Sequence, residues 1–80
     1  MTNARIIDAR LWEPPLPFER TMEALDTLPD GEALQLWLYR EPHPLYRALD
    51  LSGYRHRTTV EDDGTHVVHI WRDMAASPAA

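Results

Sequence analysis

Prolines decide where this chain can be helical. Glu13-Pro14-Pro15-Leu16-Pro17 and Glu41-Pro42-His43-Pro44 cannot lie inside a helix, because proline has no amide donor and restricts the residue before it. Either cluster can open a helix, since the first-turn N–H groups have no partner within the helix anyway. Between the clusters, Phe18, Met22 and Leu25 recur at i, i+4 and i+7, which predicts an amphipathic helix from Pro17 to Leu28. Pro29-Asp30-Gly31 stops it. Over Ala33 to Arg40, Leu34, Leu36 and Leu38 alternate with Gln35, Trp37 and Tyr39, the period of a strand with one buried face.

The remaining segments follow the same rules. Ile6 and Ile7 mark a short strand over Ala4 to Ala9. A second helix from Pro44 to Ser52 carries Leu45, Ala48 and Leu49 on one side, with Gly53 placed to end it. Tyr54 to Glu61 and His66 to Arg72 read as two strands joined by an Asp62-Asp63-Gly64-Thr65 hairpin turn. The order β-α-β-α-β-β predicts an α/β two-layer sandwich: a four-stranded mixed sheet with both helices on one face. Leu34, Leu36, Leu38, Val68 and Ile70 should meet Phe18, Met22, Leu25, Leu45 and Leu49 in the core.

The chain's 80 residues suit one domain, expected over residues 1–73, with a flexible tail at 74–80. A hydrophobic content of 44% is too high for a disordered chain. The net charge of -5 argues against nucleic acid or an anionic membrane as partner. The absence of cysteine excludes disulfides, thiolate catalysis and Cys-ligated metal centres. No apolar stretch approaches the roughly 20 residues of a membrane span, and no leader pattern is visible, so a cytoplasmic location is expected.

Ile7-Asp8-Ala9-Arg10, a proline cluster opening a helix, Leu25 through Gly31-Glu32, a central strand and a helix ending in Gly53-Tyr54 together resemble the TusA-like (SirA-like) sulfur-carrier superfamily. The likeness covers most of the chain, from Ile6 to Trp71. It is nearest to a cysteine-less uncharacterised bacterial branch, domain of unknown function 2249. That branch shows a D-x-R start followed by prolines, here Asp8, Arg10, Pro14, Pro15 and Pro17. An x-P-x-P-L segment (Pro42-His43-Pro44-Leu45) and a hydrophobic last strand (Val68-His69-Ile70-Trp71) follow. In TusA-like carriers a Cys-Pro-x-Pro motif at the first helix start forms a persulfide. Aligning Pro15-Leu16-Pro17 with that motif puts Pro14 where the cysteine belongs. The resemblance therefore implies the fold and a docking ancestry, without sulfur transfer.

Two surfaces are candidate sites. At the helix starts, Asp8, Arg10 and Glu13 come from the first connection, with Trp12 beside them, and Arg40, Glu41 and His43 from the second. Parallel strands bring both connections to one sheet edge, where α/β folds bind ligands. Arg10 and Arg40 with two helix N-termini suit a small anion, although Glu13 and Glu41 oppose one and the same charges make ordinary structural pairs. On the open sheet face, Trp37, Tyr39, Val67, His69 and Trp71 should form an aromatic patch suited to a protein partner or self-association. His43, His56, His66 and His69 lack metal-site spacing; His56 and His66 can at most meet across the hairpin. No G-x-S-x-G, P-loop or H-E-x-x-H motif is present. The reading is a non-enzymatic interaction domain without cofactor or metal, with small-anion binding as the alternative.

Overall fold

A computed structural model describes residues 4–29 and 31–72. The tail expected at residues 74–80 lies outside the described residues. The elements run β1 (Ala4–Asp8), α1 (Leu16–Asp26), β2 (Ala33–Leu38), α2 (His43–Leu51), β3 (Tyr54–Val60) and β4 (His66–Arg72). They form one four-stranded sheet in the order β1-β2-β4-β3. β1 runs parallel to β2, while β4 is antiparallel to both β2 and β3. This is the mixed α/β sandwich expected from the residue pattern.

Side-chain alternation on β2 divides the sheet into two faces. Leu34, Leu36 and Leu38 are buried and pack with Leu25 of α1, Leu45 and Leu49 of α2, and Val68 and Ile70 of β4. Register puts Leu34 opposite Ile70 and Leu36 opposite Val68, so paired strands contribute to the same core layer. The other face carries Gln35 and Trp37 beside His69 and Val67, with Arg57 and Thr59 next along.

Leu25 of α1 lies in the core and Met22 packs against it, as the apolar pattern predicts, but the buried face is rotated by about one residue and leaves Phe18 out. Pro17, Thr21 and Leu25 are buried, whereas Phe18 is exposed and Met22 half-buried. The buried spacing is i, i+4, i+8. A count of strongly apolar residues misses it, because neither proline nor threonine scores as strongly apolar, although both are buried here. Phe18 is thereby removed from the predicted core and left beside the helix start.

The helix ends are held by identifiable groups. Arg5 on β1 donates to the Ala24 carbonyl (3.3 Å) and to Thr27 Oγ1 (2.9 Å), and the Tyr54 hydroxyl donates to the Leu25 carbonyl (3.4 Å). A cation at a helix C-terminus also complements the backbone dipole. Ser52 caps α2 and Gly53 follows it with a φ of 84°, the left-handed conformation that favours glycine just past a helix end.

Leu36 is fully buried, so Leu36→Ala should cost about 2–5 kcal/mol, much of the stability of a domain this small. Urea unfolding should show a lower midpoint at unchanged slope. A loss below about 1 kcal/mol would contradict the central position of β2.

Candidate functional site

The loop after β1 brings Arg10 back over the sheet. Asp8 accepts from Arg10 Nε and Nη2, both at 2.8 Å, and from its backbone N–H at 3.3 Å. This two-pronged pairing fixes the guanidinium plane. The guanidinium then sits 5.1 Å from the centre of the Trp37 ring, with Asp63 Oδ2 of the β3–β4 turn at 3.9 Å. A cation over an indole face is attracted by its quadrupole. Arg10 thus clasps the end of β1, the open face of β2 and the distant hairpin.

Two depressions flank this clasp. The first is a cleft of about 470 Å³ at the helix starts, where Trp12, Phe18 and Tyr39 meet Pro15, Pro42 and Arg40. Trp12, Phe18 and Tyr39 are 38%, 36% and 53% exposed, and neighbouring Leu11 is 91% exposed. The second is a shallower groove of about 730 Å³ on the open sheet face. Trp37, Val67 and His69 form its floor, and Glu61, Asp62 and Asp63 its rim.

The predicted helix-start residues divide accordingly. Arg10, Arg40 and Glu41 line the cleft. Asp8 is committed to Arg10, and Glu13 supplies the carbonyl that accepts the Leu16 N–H at 3.0 Å. His43 points away, 77% exposed, with its ring edge-on to Tyr46. The prolines also use up the helix starts as anion donors. Leu16 is bonded to Glu13, Pro17 has no N–H, and the His43 and Leu45 amides donate to the Glu41 and Pro42 carbonyls. Among the described residues, the Phe18 amide alone stays without a backbone acceptor in these two turns.

The open-face set also divides. Trp37, Val67 and His69 share the groove. Trp71 lies two rungs from Val67 along β4, opposite Ala33 and Arg55. Tyr39 leaves this set and joins the cleft, because β2 ends at Leu38 and the chain bends after it. His56 and His66 do not approach across the hairpin. Register pairs His66 with Val60, four residues from His56, or about 13 Å along the strand. Among the described residues no group of three His, Cys, Asp or Glu could hold a metal ion.

The network between α2 and β3 was not legible in the sequence. The Tyr46 hydroxyl bonds Thr58 Oγ1 and donates to Glu41 Oε2 (3.3 Å). Its ring stacks on His56 at 4.6 Å, and His56 Nε2 lies 3.0 Å from Asp50 Oδ1. Burial pushes the Tyr46 phenol pKa up. Tyr46, Thr58, His56 and Asp50 pack one element on another and line neither depression; Glu41 joins them to the rim of the cleft.

The four-stranded mixed sheet covered by two helices is the fold of a SirA-like protein. A solved SirA-like protein from Desulfitobacterium hafniense superimposes with a TM-score of 0.75 at 22% identity, covering 85% of this chain and 95% of its own. The match supports the shared fold. Residues 6–72 match the model of the family described as "Uncharacterized conserved protein (DUF2249)", and the chain belongs to that family. No curated protein matches the chain significantly.

Two carboxylates at the clasp titrate below the usual range. Asp8 is held down chiefly by the Arg10 hydrogen bonds, and Asp63 chiefly by the Thr65 backbone N–H. Each therefore adds stability that is complete above the ordinary aspartate pKa of about 3.9 and is lost as pH falls through the lower folded value. Thermal melts should show a gap between wild type and Asp8→Asn that is constant from neutral pH to about 4 and closes below it. A gap unchanged to the lowest folded pH would contradict the Asp8–Arg10 assignment.

Proposed function

We infer that this domain is a non-enzymatic docking module whose helix-start cleft receives an apolar side chain of a protein partner. One observation carries the reading. Three of the exposed large hydrophobic side chains (Trp12, Phe18 and Tyr39) line one cleft at the helix starts. Clustered exposed aromatics mark association surfaces, and tryptophan and tyrosine are enriched among the residues that dominate binding. The proline segments fix the cleft walls, so little ordering is needed on binding. Arg40 and Glu41 at its mouth give it a mixed polar rim.

The chemistry of the chain is consistent with recognition. Sulfur carriage on this fold needs a thiol at the first helix start, and the chain has no cysteine. Proline stands there with no nucleophilic atom.

A small carboxylate or phosphate ligand is the second reading. The cleft volume lies within the range of small-molecule sites, and Arg40 makes no ion pair among the described residues. The loss of backbone donors to prolines weighs against it.

Binding experiments separate the two. Immobilised domain incubated with extract of its source cell should retain a partner. Trp12→Ala and Tyr39→Ala should each weaken that complex on the order of 30-fold, the effect of truncating a dominant aromatic contact. Leu51→Ser, at a distant exposed position on α2, should leave it unchanged. Retention unaffected by Trp12→Ala and Tyr39→Ala would overturn the docking reading. A thermal shift with acetate or phosphate that Arg40→Ala abolishes would favour the second.

A further inference from the structure

The bare sheet face has opposite charge at its two ends. Glu61, Asp62 and Asp63 rim the groove where the β3–β4 turn closes it. Arg57 and Arg55 stand on the same face further back along β3, opposite His69 and Trp71. Both arginines are exposed. Six residues separate Glu61 from Arg55, or about 20 Å of strand. Between these poles lie Trp37, Val67 and Thr59, which share one rung across β2, β4 and β3.

A surface with an apolar centre between an acidic and a basic pole is complementary to itself under a two-fold rotation. Turning one copy about an axis in the interface, perpendicular to the strands and over the Trp37–Val67–Thr59 rung, sets acidic turn against basic strand at both ends. It also places Trp37 on the centre, where the dominant contacts of an interface concentrate. Arg10 and Asp8 are already paired over Trp37, so the centre carries little unpaired charge into contact.

We propose that this face joins two copies of the chain in a two-fold dimer, with Trp37 at its centre and Glu61 and Asp62 of each copy against Arg55 and Arg57 of the other. Four strands at about 4.8 Å spacing and about 20 Å of length give a face of roughly 400 Å² per copy. Two copies bury roughly 800 Å², at the weak end of specific interfaces, so the dimer is reversible. Its charged rim makes it sensitive to salt. Arg10 is the one residue that lines both the cleft and this face, and none of the substituted residues lines both, so the dimer stands or falls independently of the docking reading.

Sedimentation equilibrium from micromolar to near-millimolar concentration tests this with two charge-reversal variants. Wild type should shift from monomer to dimer mass, and the shift should weaken in half-molar salt. R55E/R57E and E61K/D62K should each stay monomeric, since each sets like charges together at both ends. Mixing the two variants in equal amounts should restore the dimer, because every contact then regains opposite signs. Recovery on mixing also shows that both variants are folded. The proposal is overturned by a wild type that stays monomeric throughout. It is equally overturned by a dimer that survives either reversal, or by a mixture that remains monomeric. Trp12→Ala should dimerise as wild type does.

Discussion

Burial of Leu34, Leu36 and Leu38 on β2 is the contact on which the rest of this structure depends. β2 is an inner strand, flanked by β1 and β4, and both helices rest on its leucine face. A one-residue slip would turn all three leucines outward, so hydrophobic burial specifies the register strongly. The same alternation forces Gln35 and Trp37 onto the opposite side. The bare face is therefore a necessary consequence of the core, and its aromatic centre is set by the strand that the core holds most firmly. Arg10 adds a second layer of order by tying β1, Trp37 and the hairpin into one rigid edge.

Proline at the helix starts shapes the chemistry as strongly as it shapes the fold. A helix N-terminus can stabilise an anion such as a thiolate. Here Pro14, Pro15 and Pro17 occupy that position, and Pro42 and Pro44 do the same for α2. They remove amide donors where an anion would sit and replace them with apolar ring surface. What remains is a proline-walled cleft lined by Trp12, Phe18 and Tyr39.

Much of this was visible in the residue order. Strict alternation marked β2, paired prolines marked both helix starts, and Gly53 and Gly64 marked a helix end and a turn. These are local signals with local causes. Phe18 misled because the face that α1 buries is chosen by tertiary packing, and Pro17 and Thr21 are buried without reading as strongly apolar. Tyr39 misled because alternation continued past the residue where the strand ends. The clasp of Arg10 over Trp37 and its approach to Asp63 depended on a loop path that no periodicity reports. The Tyr46–His56–Asp50 arrangement likewise joins residues on two elements and carried no motif. The charge polarity of the bare face became readable only once the β3–β4 register was known.

The three tryptophans sample these surfaces separately: Trp12 at the cleft, Trp37 at the centre of the sheet face and Trp71 toward its basic end. The most direct single measurement is solvent paramagnetic relaxation of their indole N–H resonances as the purified chain is concentrated. Trp12 should stay open to the soluble relaxation agent at every concentration, while Trp37 becomes shielded as copies pair. Shielding of Trp12 in the dilute isolated chain would show a filled cleft, and a Trp37 signal indifferent to concentration would show a face that does not pair; either result contradicts two independent contact surfaces on this fold.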